Sequence, residues 1–190
     1  MTPTTTVLSE SEMLQLWRRL KLLEPLRDDC VVERTDGVAL DVLLANEMRA
    51  WYLERLLTEP ISRLPLSDIS QSVVPTRTSD GAGLLDLPAD CLRLAAVHCK
   101  GWHSDALLIE DNDPDAKVDA ELAGEALAQA NPFARGRCSR PVAIHSPGQL
   151  RLYTPPAGPI VIDRLLAVTL PPDGTYPLSP FLLSQLVISN

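Results

Sequence analysis

Residues 83–102 read GLLDLPADCLRLAAVHCKGW, a stretch with two apolar, strand-like runs separated by Pro88. The run GLLDLP predicts a short strand that ends at Pro88, because proline cannot donate a hydrogen bond to a strand ladder. Residues 91–98 predict a second strand that continues to Trp102, and residues 106–109 predict a third strand. The middle of the chain is therefore predicted to be a β region built from short elements.

Two helices are predicted before this region. Residues 1–8 are rich in Thr and predict a flexible arm, after which Ser9 and Glu12 have the spacing of a capping box. This pattern predicts a first helix near residues 10–24, ended by Pro25. A second helix is predicted over residues 38–58, with Pro60 after it. The apolar positions of the second helix recur at helical spacing; they are Leu40, Leu43, Leu44, Met48, Trp51, Leu53 and Leu56.

The remaining segments complete the predicted architecture. Residues 61–82 are rich in Pro and Ser and predict a long loop, and residues 115–130 predict a helix. Residues 141–145 and 149–153 predict a hairpin, because Ser-Pro-Gly between them is typical of turns. An apolar run at 160–170 predicts another strand, and Pro180 is placed to begin a C-terminal helix.

The predicted fold class is α+β, with an N-terminal helical hairpin, a small antiparallel β region with an inserted helix, and a C-terminal helix. We expect residues 1–60 to form the hairpin with its flexible arm. Residues 61–190 are expected to form the β-rich region with one helix and the C-terminal helix. The two parts are expected to make one compact unit overall.

The composition restricts the function. The formal net charge of −8 predicts a soluble protein that repels nucleic acid and anionic membranes overall. The N-terminus has no basic and apolar pattern typical of a secretory signal, and no apolar run is long enough to span a bilayer. The four cysteines are then expected to be reduced thiols in a non-secreted protein.

The sequence predicts no enzyme, no metal and no cofactor. The cysteine and histidine residues that come nearest to a zinc set are Cys91, His98, Cys99, His103 and Cys138. Their spacing is looser than in zinc sites, and His98 and Cys99 are expected on opposite faces of one strand. No nucleophile elbow and no phosphate-binding glycine loop is present, and the acidic pairs are typical of solvated turns and helix starts.

Several residues are instead predicted to lie at an interface, because a two-helix hairpin beside a small β region must bury both of its faces and the C-terminal helix stops while still apolar. The candidate interface residues are Trp17, Trp51, Arg135, Arg137, Arg140, Phe181 and Leu182. The three arginines form the basic cluster of FARGRCSRP. This cluster is compatible with an acidic protein partner, with a solvated loop, or with nucleic-acid backbone.

The order of motifs resembles that of tailed-bacteriophage head–tail connector proteins, also called adaptor or neck ring proteins. Two helices precede GLLDLPADCLRLAAVHCKGW, in which Leu87, Pro88, Asp90, Leu92, Arg93 and Leu94 match the pattern LP-x-D-x-L-R-L. The later NPFARGRCSRP stretch matches at Asn131, Pro132, Arg135, Arg140 and Pro141. It leads into QLRLYTPP, which matches at Leu150, Leu152, Tyr153 and Pro155. The resemblance covers residues 80–156 well and the helices loosely.

The resemblance implies a structural role in the virion, with assembly in the host cytoplasm. Copies would form a homo-oligomeric ring, a dodecamer matching the portal, that contacts portal and tail or neck proteins. DNA would pass through the ring without sequence-specific binding, and no membrane would be involved. The alternatives are a small cellular protein–protein adaptor and, further from the sequence pattern, a Cys/His-dependent enzyme or a zinc-binding protein.

Overall fold

A computed structural model of the chain describes residues 5–21, 39–79, 81–112, 141–153, 155 and 158–187. The chain divides into two compact units, of which the first comprises Met1–Pro65 and Leu170–Asn190 and the second comprises Leu66–Thr169. The predicted boundary after residue 60 lies close to Pro65, where the first segment of the first unit ends. The C-terminal helix, which we expected with the β-rich region, belongs to the first unit.

The described residues form ten strands in three sheets and three α-helices. In chain order the elements are β1 (Thr6–Ser9), α1 (Glu10–Leu20), α2 (Leu40–Thr58), β2 (Ser67–Asp68), β3 (Thr76–Arg77), β4 (Gly83–Asp86), β5 (Cys91–Cys99), β6 (Leu107–Glu110), β7 (Val142–Ser146), β8 (Gln149–Leu152), β9 (Ile162–Thr169), β10 (Thr175–Leu178) and α3 (Pro180–Val187). Short 3-10 turns lie at Ile61–Arg63 and Ser70–Ser72.

The start of α1 confirms the predicted capping box. The Ser9 hydroxyl accepts a hydrogen bond from the Glu12 backbone N–H at 3.4 Å, and the Glu12 carboxylate accepts one from the Ser9 N–H at 2.8 Å. Hydrogen bonding to Ser9 lowers the pKa of Glu12. The helix ends at Leu20, several residues before the predicted end near residue 24.

The helices of the first unit pack through apolar faces. Helix α1 buries Met13 and Trp17, and α2 buries a row spaced four residues apart; that row is Leu44, Met48, Tyr52 and Leu56. Ion pairs join the start of α1 to the middle of α2 (Glu10 with Arg49) and the end of α1 to the start of α2 (Arg18 with Asp41). The two helices are therefore antiparallel.

The second unit contains two sheets that share its main core, and Val142 and Ile144 form a smaller, separate cluster. Strands β2, β9 and β5 form one sheet, and β3, β4, β8, β7 and β6 form the other in that order. Strands β7 and β8 form the predicted hairpin, with Gly148 at a φ of 75° in the turn. Both sheets contribute to the same hydrophobic cluster; its most buried members are Leu85, Val97, Cys99, Ala143, Leu150, Leu152, Leu165 and Ala167.

The Asp68 side chain links the short strand β2 to β9 through hydrogen bonds. One carboxylate oxygen accepts hydrogen bonds from the backbone N–H groups of Ser70 at 2.9 Å and Leu165 at 3.3 Å. Desolvation on its own would raise the pKa of Asp68, but the hydrogen bonds from Ser70 and Leu165 and the charge of Arg164 together lower it.

The predicted fold class is wrong in its leading feature. The fold is strand-rich and is not led by a helical hairpin, since the segment predicted as a flexible arm contains β1, which pairs antiparallel with β10. The β region is also neither small nor wholly antiparallel, because β6 and β7 pair in parallel. A parallel pair needs a connection of about a dozen residues or more, and the chain between Glu110 and Val142 is longer than that.

Other predictions have separate outcomes. The strands predicted at 83–88, 91–102, 106–109 and 160–170 correspond to β4, β5, β6 and β9, with β5 ending at Cys99. The C-terminal helix beginning at Pro180 is confirmed. The predicted long loop at 61–82 contains β2, β3 and two 3-10 turns. The helix predicted at 115–130 lies outside the described residues.

Candidate assembly surface

Helix α2 also exposes apolar side chains on a side that differs from its buried row. Val42, Leu53 and Leu57 are 55%, 40% and 49% exposed. At about 100° of rotation per residue, these three positions fall within roughly 60° of one another around the helix. We call them the outer stripe of α2. Leu53 and Leu57 are neighbours on the helix surface, whereas Val42 lies about 16 Å along the helix from Leu53.

The sequence signal for the outer stripe was present but ambiguous. Leu53 was assigned to the buried face together with Leu43 and Leu56, whereas the structure exposes Leu53 and buries Leu56. Apolar residues occur on nearly all sides of α2, so periodicity alone could not separate the face covered within the chain from the face left uncovered.

Two predicted interface residues, Trp17 and Trp51, form an aromatic pair between α1 and α2. Their ring centroids are 5.5 Å apart and the rings are tilted by 50°. Lys21 lies 5.1 Å above the Trp17 ring, and Arg55 lies 5.9 Å from the Trp51 ring. Trp17 is only 4% exposed, so its side chain packs within the first unit. Trp51 is half-buried and retains some surface.

The other apolar candidates, Phe181 and Leu182, lie at the start of α3. Leu182 is fully buried and its backbone N–H donates to the Ser179 hydroxyl at 3.2 Å. Phe181 is half-buried, with the Arg63 guanidinium 4.7 Å from its ring centroid. Of this pair, only Phe181 offers apolar surface to another molecule.

The basic cluster of Arg135, Arg137 and Arg140 lies outside the described residues. Four described cations of the helical unit engage acidic neighbours in the same unit. Besides the two pairs between α1 and α2 already described, Lys21 pairs with Glu47 at 3.5 Å and Arg55 with Glu59 at 3.0 Å. What distinguishes the exposed side of α2 is therefore its apolar row rather than its charge.

The histidines and cysteines lie in different surroundings. Cys99 is fully buried, and burial together with the nearby Asp163 charge raises its pKa to about 12. His98 Nδ1 lies 2.7 Å from the Asp163 carboxylate, and His145 Nδ1 lies 3.2 Å from that of Glu110. Within the described ranges, no group of three or more His, Cys, Asp or Glu side chains is arranged to hold a metal ion.

Comparisons with known proteins found no match: no protein-family model, no curated protein and no solved structure is similar to this chain. Across the part of the chain that the structure describes, none of the helices has the length and apolar character needed to span a bilayer.

Proposed function

We propose that this chain is a structural component of a tailed-bacteriophage virion. Copies would assemble in the host cytoplasm into a homo-oligomeric ring that connects the portal of the head to the tail and lets DNA pass. The portal and the tail or neck proteins would be its partners.

The observation that carries this proposal is the order of motifs from Leu87 to Pro155, which resembles that of head–tail connector proteins. The outer stripe of α2 supports it independently, because a ring subunit needs an uncovered surface for its neighbour. The formal charge of −8 also supports it, since an acidic protein makes few attractive contacts with phosphates and would not hold DNA that slides past.

The energetic contribution of the outer stripe can be bounded. Complete burial of a Val or Leu side chain contributes roughly 1.5–3 kcal/mol. Val42, Leu53 and Leu57 are about half exposed, so covering the remainder contributes about 1 kcal/mol each. An interface of about 800 Å² per partner needs more surface than three side chains. The stripe would therefore supply only the apolar part of the interface, together with residues between Val42 and Leu53 such as Asn46 and Ala50.

The test is the mass of the purified full-length chain by light scattering, alone and mixed with portal rings. We expect the chain to assemble on its own or on the portal. Leu53→Glu should raise the concentration for half-assembly by about tenfold or more, because it removes apolar burial and places a charge in the contact.

Thr58→Glu is the matched control. It introduces the same charge on the same helix, and Thr58 is exposed and lies about 140° around the helix from Leu53. It should leave assembly close to that of the wild-type chain. A chain that stays monomeric with and without portal rings would contradict the proposal, and a monomer that instead binds one cellular protein would favour the adaptor alternative.

A further inference from the structure

The two ends of the second unit lie side by side. Ser67 in β2 is paired with Ala167 in β9, and the Ser67 and Thr169 hydroxyls are 3.3 Å apart. The chain thus enters this unit at Leu66 and leaves it at Thr169 through neighbouring strands. Termini that lie close together are the condition under which one domain can be inserted into another with little loop-closure cost.

Among its described residues, the second unit also has a core of its own. Its hydrophobic cluster extends from Ile69 to Ala167, and every buried member belongs to Leu66–Thr169. Strand β9 lies between β2 and β5 in its sheet, so the last strand of the unit is held by pairing on both sides.

The first unit is closed by contacts between its own two chain segments. Strand β1 pairs with β10, and the Tyr52 hydroxyl donates to the Pro177 carbonyl oxygen at 2.8 Å. Ser179 donates to the Arg63 carbonyl oxygen. The fully buried side chains come from both segments; they include Met13, Met48, Leu56, Leu64, Leu178 and Leu182.

We infer that residues 66–169 are an inserted module that folds and unfolds independently of the unit formed by the two ends of the chain. The first unit can then stay folded while the second opens, because the strand pairing and the two hydrogen bonds named above lie within the first unit. The second unit can likewise stay folded when the first is weakened.

Hydrogen exchange of the full-length chain, resolved by peptide mass spectrometry, tests this inference. Tyr52→Phe weakens the first unit, and Val97→Ala opens a cavity in the core of the second, where Val97 is fully buried. In each variant, the slowest-exchanging amides of the altered unit should exchange about tenfold faster or more. The slowest amides of the other unit should change by less than about threefold.

Tyr52→Phe removes only one hydroxyl, so the variant should still fold and its exchange can be measured. Val97→Ala perturbs the second unit instead and tests the same independence in the opposite direction. Equal acceleration of both units by either variant would overturn the inference, because it would mean that the chain unfolds in one cooperative step. The inference does not depend on ring formation, and the exchange is measured below the concentration at which any assembly appears.

Discussion

The hydroxyl of Tyr52 is expected to be a main determinant of stability in the first unit. Tyr52 is 3% exposed and its hydroxyl donates to the Pro177 carbonyl oxygen at 2.8 Å. The Glu10 backbone N–H donates to the Gly174 carbonyl oxygen. Hydrogen-bonded and non-hydrogen-bonded pairs alternate along an antiparallel ladder, so in this register Val7 and Pro177 form a non-hydrogen-bonded pair. The Pro177 carbonyl therefore points away from β1, and Tyr52 is the side chain that reaches it.

Tyr52→Phe should lower the free energy of unfolding by about 1.5 kcal/mol, because it leaves a partly buried carbonyl without this donor. For a unit of this size, the melting temperature should fall by roughly 6–12 °C. The edge-on ring contact with Tyr176, at 5.2 Å between centroids, would be kept. The measurement is thermal and urea unfolding followed by tryptophan fluorescence in a Trp102→Phe background, so that the signal comes from Trp17 and Trp51 of the first unit.

Tyr176→Phe is the matched control. It also removes one phenol hydroxyl from the same aromatic pair, but this hydroxyl interacts with the exposed Arg49 side chain, for which water can substitute. The loss should be less than about 0.5 kcal/mol. If Tyr52→Phe were as mild as the control, the hydrogen bond to Pro177 would not contribute as argued.

The buried Tyr52 hydroxyl should also make the stability of the first unit depend on pH in the alkaline range. Burial, and secondarily the neighbouring Tyr176, raises the pKa of Tyr52 well above its usual value of about 10. The folded state therefore holds this proton more tightly than the unfolded state does. Its stabilisation is complete below about pH 10 and is lost as the pH rises toward the folded pKa. The stability difference between wild type and Tyr52→Phe should shrink over that range, and a constant difference would contradict the assignment.

Three further substitutions or measurements address the second unit. Gly83→Ala should cost no more than about 1 kcal/mol in urea unfolding, since its new Cβ would lie 2.8 Å from the Ile160 Cδ1, the far end of a flexible side chain, and adding Ile160→Val should recover part of the loss. Asp68→Asn should lower stability by about 1 kcal/mol at pH 7. Because the folded pKa of Asp68 is lowered, the wild-type advantage should persist above pH ~4 and disappear as the pH falls through that pKa. Cys99 should alkylate more slowly than Cys91 at pH 8 when labelling is resolved by peptide mass, because it is fully buried and its pKa is raised to about 12, and equal rates would contradict this.

The parts of the fold that the sequence predicted correctly depend on local signals. The capping box at Ser9 and Glu12 and the proline at position 180 mark helix starts within one turn of chain. The β7–β8 hairpin follows from two apolar runs around a turn that contains Gly148. In each case, the residues that decide the structure are close in sequence.

The parts that were missed depend on distant pairing. Residues 6–9 read TVLS, a segment too short to indicate a strand, and their partner strand begins at Thr175. The parallel pairing of β6 with β7 likewise leaves no mark within either strand. Register and direction are set by tertiary contacts, which single-sequence periodicity does not contain.

The sequence also could not show which apolar residues the chain itself covers. Trp17 and Leu182 were chosen because large apolar residues need cover, and the chain itself provides that cover. Val42 and Leu57 have the same chemistry but lie on a side of α2 that the chain leaves exposed. Hydrophobicity therefore identifies residues that need a neighbour, and only the packed structure separates those already satisfied from those left for a second molecule. For this reason the outer stripe, rather than the tryptophan pair, is the surface on which assembly should be tested.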